Sequence, residues 1–235
     1  MREDGEIRPK PMVEIGEKPI LWHILKIYAH YGFTNFILPL GFHGEEIRAY
    51  FSTPEYRSQY NITFVETGEN TLKGGRIKRI ESYLKADHFH LTYGDGVSDI
   101  DLVKLHRFHL SHKRLATVTA VRPPSRFGEL VLRGDAVRQF IEKPQLSSGT
   151  INGGFFVFKK ELLDSLTRDE NCDLEFGVLQ QLAQRGQLHA YQHLGFWQCM
   201  DTPRERDYLN SLWDNGAPWK IWKTHEKRND RAEKR

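Results

Sequence analysis

From residue 19 onward the apolar positions switch in turn between a helical spacing and a strand spacing. Ile20, Leu21, Ile24, Leu25, Ile27 and Tyr28 gather on one side of a helix over 19–31, and Gly32 ends the run. A short apolar strand over 35–40, a helix over 45–51 and a second strand over 62–65 follow. The pattern then predicts a helix over 76–84, an aromatic-rich strand over 88–93, a helix over 102–112 capped by Ser98 or Asp99, and a strand over 116–121. Residues 127–140 hold two short strands around Arg133-Gly134-Asp135, a hairpin. An apolar strand over 151–158, helices near 160–167 and 174–185, a strand over 188–193 and a helix over 203–213 complete the body. Strands and helices taken in turn predict an α/β fold, a parallel sheet covered on both faces.

Composition narrows the class. A chain of 235 residues can bury one substantial core. No stretch approaches the ~18 apolar residues of a membrane span, and Met1 to Glu6 has no apolar run of a signal peptide. The expectation is a soluble cytoplasmic protein. Cys172 and Cys199 stand far apart, outside any C-x-x-C arrangement, which suits two ordinary thiols rather than a disulfide or a zinc site. The formal charge of +3 is concentrated at the end: Lys220 to Arg235 carries a local +4, leaving the rest at −1. A nearly neutral body argues against nucleic acid as partner. The last stretch, 223–235, reads as a solvated charged tail behind one domain over 1–222.

Candidate chemistry sits where strands end. Asp95, in Tyr93-Gly94-Asp95-Gly96, closes the aromatic-rich strand at the edge where an α/β sheet opens into its ligand crevice. Asp201, in Phe196-Trp197-Gln198-Cys199-Met200-Asp201-Thr202-Pro203, has a similar setting. Two aspartates meeting over a phosphorylated substrate would suit Mg²⁺, which takes one or two carboxylates plus phosphate oxygens; each segment alone is also an ordinary turn. Lys10 lies between Pro9 and Pro11, where a stiff backbone projects its ammonium from a fixed stem, as polyphosphate binding requires and as a surface loop also permits.

With the Lys10 stretch, six segments form an ordered set: Lys18 to His23, Thr71 to Arg79, Tyr93 to Gly96, Glu142-Lys143-Pro144, Ile151 to Phe156 and Phe196 to Thr202. In order and spacing the chain resembles the sugar nucleotidyltransferases, most closely the glucose-1-phosphate cytidylyltransferases, from about Pro9 to Trp222. The resemblance implies a Rossmann-like, GT-A-like mostly parallel mixed sheet. It implies a reaction in which a glucose 1-phosphate oxygen attacks the α-phosphorus of CTP and pyrophosphate leaves, giving CDP-glucose for deoxysugars of surface polysaccharide such as the O-antigen of lipopolysaccharide. Lys10 would neutralise the triphosphate, and Asp95 with Asp201 would hold Mg²⁺. Lys143 would meet the sugar phosphate, with Glu142 and Asn152 as readers of the hexose hydroxyls. Gly153 follows Asn152 in the same motif. Thr71, Gly74, Gly75 and Arg76 would border the base, the glycines allowing a close backbone approach, and Trp197 would wall the site. A homo-oligomer is compatible with the resemblance.

The chain also departs from that pattern. The family begins with a buried strand and a glycine-rich loop ending in Thr-Arg, and the matching place before Arg8 holds only Met1 to Ile7. The expectation is an N-terminally truncated form, with two neighbouring strands left unpaired or forced to close the gap, and with impaired turnover for want of loop donors. Arg8 stands where lysine is usual, and 50–67 is shorter than in the relatives. Two rivals remain: a non-catalytic sugar-phosphate-binding relative, and a nucleotide-sugar glycosyltransferase using Asp99-Ile100-Asp101, although that segment sits where a helix needs a cap. His106, His109 and His112 drift around a helix and read as a solvated or partly packed face.

Overall fold

The computed structural model describes residues 2–3, 6–123, 128–141 and 149–222. The first half runs β1 (Arg2–Glu3), β2 (Glu6–Ile7), β3 (Glu14–Ile15), β4 (Lys18–Pro19), α1 (Ile20–His30), β5 (Asn35–Leu40), α2 (Gly44–Phe51), α3 (Pro54–Arg57), β6 (Asn61–Glu66), α4 (Lys73–Arg79), β7 (His88–Thr92), β8 (Gly96–Ser98) and α5 (Leu102–His112). The second runs β9 (Ala116–Val121), β10 (Glu129–Arg133), β11 (Ala136–Ile141), β12 (Ile151–Lys159), α6 (Gln180–Gln184), β13 (Leu188–His193), β14 (Trp197–Cys199) and α7 (Pro203–Asp214).

The sheet is mixed, as an α/β reading requires, but direction is distributed unevenly. β13 pairs parallel with β9, whereas β12 lies antiparallel between β9 and β7. β5 and β6 form a separate parallel pair. Strand alternation turns β12 into the divider of two cores: Phe155 and Val157 face one layer, Phe156 and Phe158 the other. The first layer holds α1, whose Ile24, Ile27 and Tyr28 pack with Trp219 and Leu105. The second holds Ile77 of α4 with Leu162, Leu174 and Val178. Gly32 has φ +85°, a conformation that lets the chain leave α1 and turn into β5.

β7 ends the four-stranded sheet and β5 ends the two-stranded one, and they do not pair with each other. A cavity of about 730 Å³ separates them, bordered by both strands, by Leu21, Ile24 and Tyr28 of α1, and by Ile77, Ile80 and Leu174 from the opposite layer. The predicted hairpin is present as β10 and β11 around Gly134, whose φ is +65°. Among the described residues, no helix is long and apolar enough to cross a membrane.

Candidate functional site

Each central side chain is fixed by a local device. Lys10 opens a 3-10 turn, Lys10–Met12, whose cap Pro9 is held at φ −63°; the amides of Met12 and Val13 close it onto Pro9 and Lys10, and both side chains are buried. A rigid stem therefore carries the ammonium. Asp95 lies in the turn from β7 to β8, and its carbonyl accepts from the Met200 amide at 2.8 Å. That bond extends the antiparallel pairing of β8 with β14, where Gly96 faces Cys199, so Asp201 emerges beside Asp95. Beyond Asp201, α7 begins with Thr202 as cap and Pro203 in its first turn. Glu205 accepts from the Asp201 amide at 2.7 Å and the Thr202 amide at 2.9 Å, completing a reciprocal capping box that holds the segment bearing Asp201.

Lys10 Nζ stands 2.6 Å from Asp201 Oδ1 and 3.7 Å from Asp95 Oδ2. The two carboxylate oxygens are thus no farther apart than the sum of those distances, on one side of one crevice. The hydrogen bond to Asp201 raises the Lys10 pKa, against burial, and keeps the ammonium charged. Burial raises the Asp95 carboxyl; Lys10 opposes this shift, and the nearby Asp201 charge adds to it. Two carboxylates side by side form a hard oxygen set suited to Mg²⁺. Cys199, Asp201 and Glu205 also bring ligand atoms within 4.8 Å of one another. Burial pushes the Cys199 thiol up to about 12, so it stays protonated, and Glu205 is committed to two amides. The Asp95 and Asp201 pair is the better fit for a hard cation.

The remaining predicted residues divide between the crevice and its walls. Asn152 donates to the Tyr93 hydroxyl at 3.2 Å and accepts from the Gly154 amide at 2.8 Å. Trp197 donates from its ring to the Gly153 carbonyl at 2.7 Å, tying β14 to β12. Arg76 donates to the Leu40 carbonyl, the Thr67 hydroxyl and the Glu69 carbonyl, so its guanidinium staples the loop after β6 to the end of β5. Thr71 is buried and accepts from Arg79 at 2.8 Å. The close approach that Gly74 and Gly75 permit is that of the 169–172 turn: a Cβ would lie 2.7 Å from the Cys172 carbonyl oxygen at one and 2.4 Å from that of Asp169 at the other. Glu142 and Lys143 lie outside the described residues, as does the 223–235 tail.

Three functional groups were not singled out from the sequence. Glu205 carries a readable signal, the Thr-x-x-Glu spacing from Thr202. Lys73 lies 4.4 Å over the Tyr93 ring, and both it and the Tyr93 hydroxyl contact Glu175, a network that no local spacing announces. The cap of α5 is corrected: Asp101 accepts from the Lys104 amide at 2.9 Å, while Ser98 donates to the Phe196 carbonyl and Asp99 faces His193. Both aspartates of the D-x-D segment are thereby engaged within the fold. The α5 histidines form a partly packed face: His109 is buried between His88 and Thr117, and His106, half-buried, meets His90 at 3.1 Å.

Residues 6–225 match the family described as Nucleotidyl transferase. The chain is 43% identical over 244 residues to glucose-1-phosphate cytidylyltransferase of Salmonella typhimurium, covering 94% of this chain and 95% of that protein. The corresponding protein of Salmonella typhi matches with the same identity and coverage. Among solved structures, HddC from Yersinia pseudotuberculosis superposes with a TM-score of 0.69 at 22% identity, covering 88% of this chain and 90% of that one.

Proposed function

The chain belongs to the nucleotidyl transferase family, and from that premise we propose that it transfers the cytidylyl group of CTP to α-D-glucose 1-phosphate, releasing pyrophosphate and leaving CDP-glucose. The names of the two Salmonella relatives support the substrate pair. The observation that carries the reading is Lys10 held between Asp95 and Asp201 on one crevice.

Such a transfer needs positioning and neutralisation more than covalent help from the protein, because a triphosphate and a sugar phosphate crowd several oxyanions into a poorly screened cleft. Lys10 supplies a charged ammonium on a stem that its flanking prolines keep from retreating. Asp95 and Asp201 are the groups that would hold Mg²⁺, and a bound divalent ion would draw charge from the phosphate oxygens. Glu205 keeps the Asp201 segment in place through its two amide contacts. Lys143 is assigned to the sugar phosphate, and Glu142 and Asn152 to the hexose hydroxyls. Thr71, Gly74, Gly75 and Arg76 form the wall next to the base, and Trp197 closes the side near Gly153.

The second reading is a chain that binds sugar phosphate without turnover. Pyrophosphate release measured with Mg²⁺, glucose 1-phosphate and CTP, UTP, dTTP or GTP in turn decides between them. Release with CTP and a CDP-glucose mass support the first reading. Glucose 1-phosphate binding with no release from any triphosphate would support the second and sink the first.

A further inference from the structure

An amide side chain reads hydroxyls only if it is held one way round, because half a turn exchanges its donor for its acceptor. The direction of the Asn152 amide is set by its neighbours. The Gly154 backbone N–H can only donate, so the Asn152 atom that meets it at 2.8 Å is the oxygen. The Asn152 nitrogen then faces the Tyr93 hydroxyl at 3.2 Å, and that hydroxyl accepts there. Its own proton is left for Glu175, 2.5 Å away, whose carboxylate only accepts. Lys73 donates to the same Glu175 oxygen and holds its ammonium over the Tyr93 ring. Asn152 donates to Tyr93, Tyr93 to Glu175, and Lys73 to Glu175 from the far side, so one orientation of each group satisfies the whole row.

The backbone fixes both ends. Along β12, Asn152 lies opposite Ala120 and Phe156 opposite Val118, so two extra residues bulge from the ladder between them. Gly154 has φ +75°, and a Cβ there would lie 2.9 Å from the Tyr93 ring. The glycine lets the ring lie against the strand, where the Tyr93 amide donates to the Gly154 carbonyl at 3.1 Å. Glu175 stands on the π-helical segment Leu174–Leu179, capped by Asp173 through the Phe176 amide at 2.7 Å. Burial, and after it the Glu175 contact, push the ionisation of the Tyr93 hydroxyl up, so the proton that Glu175 accepts is present at neutral pH. The row uses one N–H and one oxygen lone pair of Asn152; the amide has a second of each, the donor and acceptor that two neighbouring sugar hydroxyls require.

We propose that Glu175 is a positioning residue for the hexose: through the Tyr93 hydroxyl it sets which edge of the Asn152 amide donates to the sugar and which accepts from it. The proposal rests on the assignment of Asn152 to the hexose hydroxyls. Lys73 anchors the carboxylate from the start of α4, so the wall assigned to the base and the sugar reader on β12 are joined by one row of hydrogen bonds. Without Glu175 the Tyr93 proton is free to turn onto Asn152, a second orientation of the amide comes within reach, and the Gly154 amide alone holds the first.

Calorimetric titration of the full chain with glucose 1-phosphate, and separately with inorganic phosphate, tests this without any nucleotide. Glu175→Ala and Tyr93→Phe should each weaken glucose 1-phosphate binding by about 5- to 10-fold and leave inorganic phosphate unchanged. Glu175→Gln, whose side-chain carbonyl accepts the same bond, should recover most of the loss. In an Asn152→Ala background, which itself weakens sugar-phosphate binding, Glu175→Ala should add nothing. Undiminished affinity in Glu175→Ala overturns the proposal. Equal losses for inorganic phosphate, no recovery with glutamine, or a full second loss in the Asn152→Ala background overturn it too, because each marks a role of charge or of the fold at large. A parent that takes no glucose 1-phosphate, or an Asn152→Ala variant that binds it as well as the parent, removes the hexose assignment and the proposal with it. The transfer reaction is judged separately, by pyrophosphate release.

Discussion

Replacing Lys10 with methionine should tighten Mg²⁺ binding while abolishing turnover. The ammonium lies within 2.6 Å of one carboxylate and 3.7 Å of the other, so without nucleotide it occupies the position from which a cation would be attracted to both. Two unit charges ~4 Å apart interact by about 1 kcal/mol in water and about 4 kcal/mol at an effective dielectric of 20. The Lys10 and Asp201 side chains are 42% and 49% exposed, which places the pair toward the watery end. After screening by salt, removing the ammonium should favour the metal by roughly 1–2 kcal/mol, or about 5- to 30-fold in Kd. Methionine keeps much of the stem, so packing beside Pro9 and Pro11 changes little. Titration calorimetry with MgCl₂ on the Lys10→Met protein and its parent, in the absence of nucleotide, reads this shift. Pyrophosphate release by the variant should fall by about 100-fold or more, the scale for losing one group that stabilises developing anionic charge. Unchanged or weaker Mg²⁺ affinity would refute the reasoning, because it would mean that the ammonium and the metal do not compete for the same two carboxylates.

Three other predictions rest on different parts of the molecule. Glu205→Ala should lower stability by about 1 kcal/mol through loss of the capping box and raise the Mg²⁺ Kd, with Glu205→Gln restoring part of the stability; urea unfolding and calorimetry read the two effects. Gly75→Ala should cost about 1–3 kcal/mol in urea unfolding, since its Cβ would lie 2.4 Å from the Asp169 carbonyl oxygen, and a neutral substitution would contradict that packing. Burial holds His23 and His109 down to about 4 and His90 to about 3, with neighbouring histidines adding to the last two shifts. The unfolded chain therefore binds more protons below pH ~6.5, and stability present above that value is lost as pH falls toward 4, by roughly 3 kcal/mol from His23 alone. Urea midpoints that stay level from pH 7 to 4.5 would contradict this.

The parts of the fold legible in the sequence are those whose cause is local. Strands over 35–40, 116–121 and 188–193 and the helix over 102–112 coincide with the structure because their apolar period runs long enough to be read. The paired two- and three-residue strands, β3 with β4 and β8 with β14, are too short to show a period, and the last pair is what joins the site. Strand direction is also silent in periodicity, so an alternation that predicts a parallel sheet does not reveal that β12 runs against its neighbours. At residues 174–179 the apolar spacing predicts a plain helix, whereas the backbone forms a π-helix before α6.

The site was legible as chemistry before it was legible as geometry. Asp95, Asp201 and Lys10 announce themselves by residue type and by their turn or proline neighbours, but their meeting depends on the β8–β14 ladder and the Asp95–Met200 bond. Arg76 and the Gly74–Gly75 pair could be picked out as a cluster, yet what they touch is set by the distant 169–172 turn and the end of β5. The histidines of α5 read in a helical projection as a solvated or partly packed face, and which of the two holds depends on partners from β7 and β9.

The central claim is that Asp95 and Asp201 share one divalent cation. Crystals of the chain grown with CTP and MnCl₂, with anomalous diffraction locating the manganese, test it most directly. The account predicts a peak with an Asp95 oxygen and an Asp201 oxygen both about 2.1 Å away. A peak bound by only one of them, or one seated instead on the His43, Glu45 and Glu46 group, would contradict it.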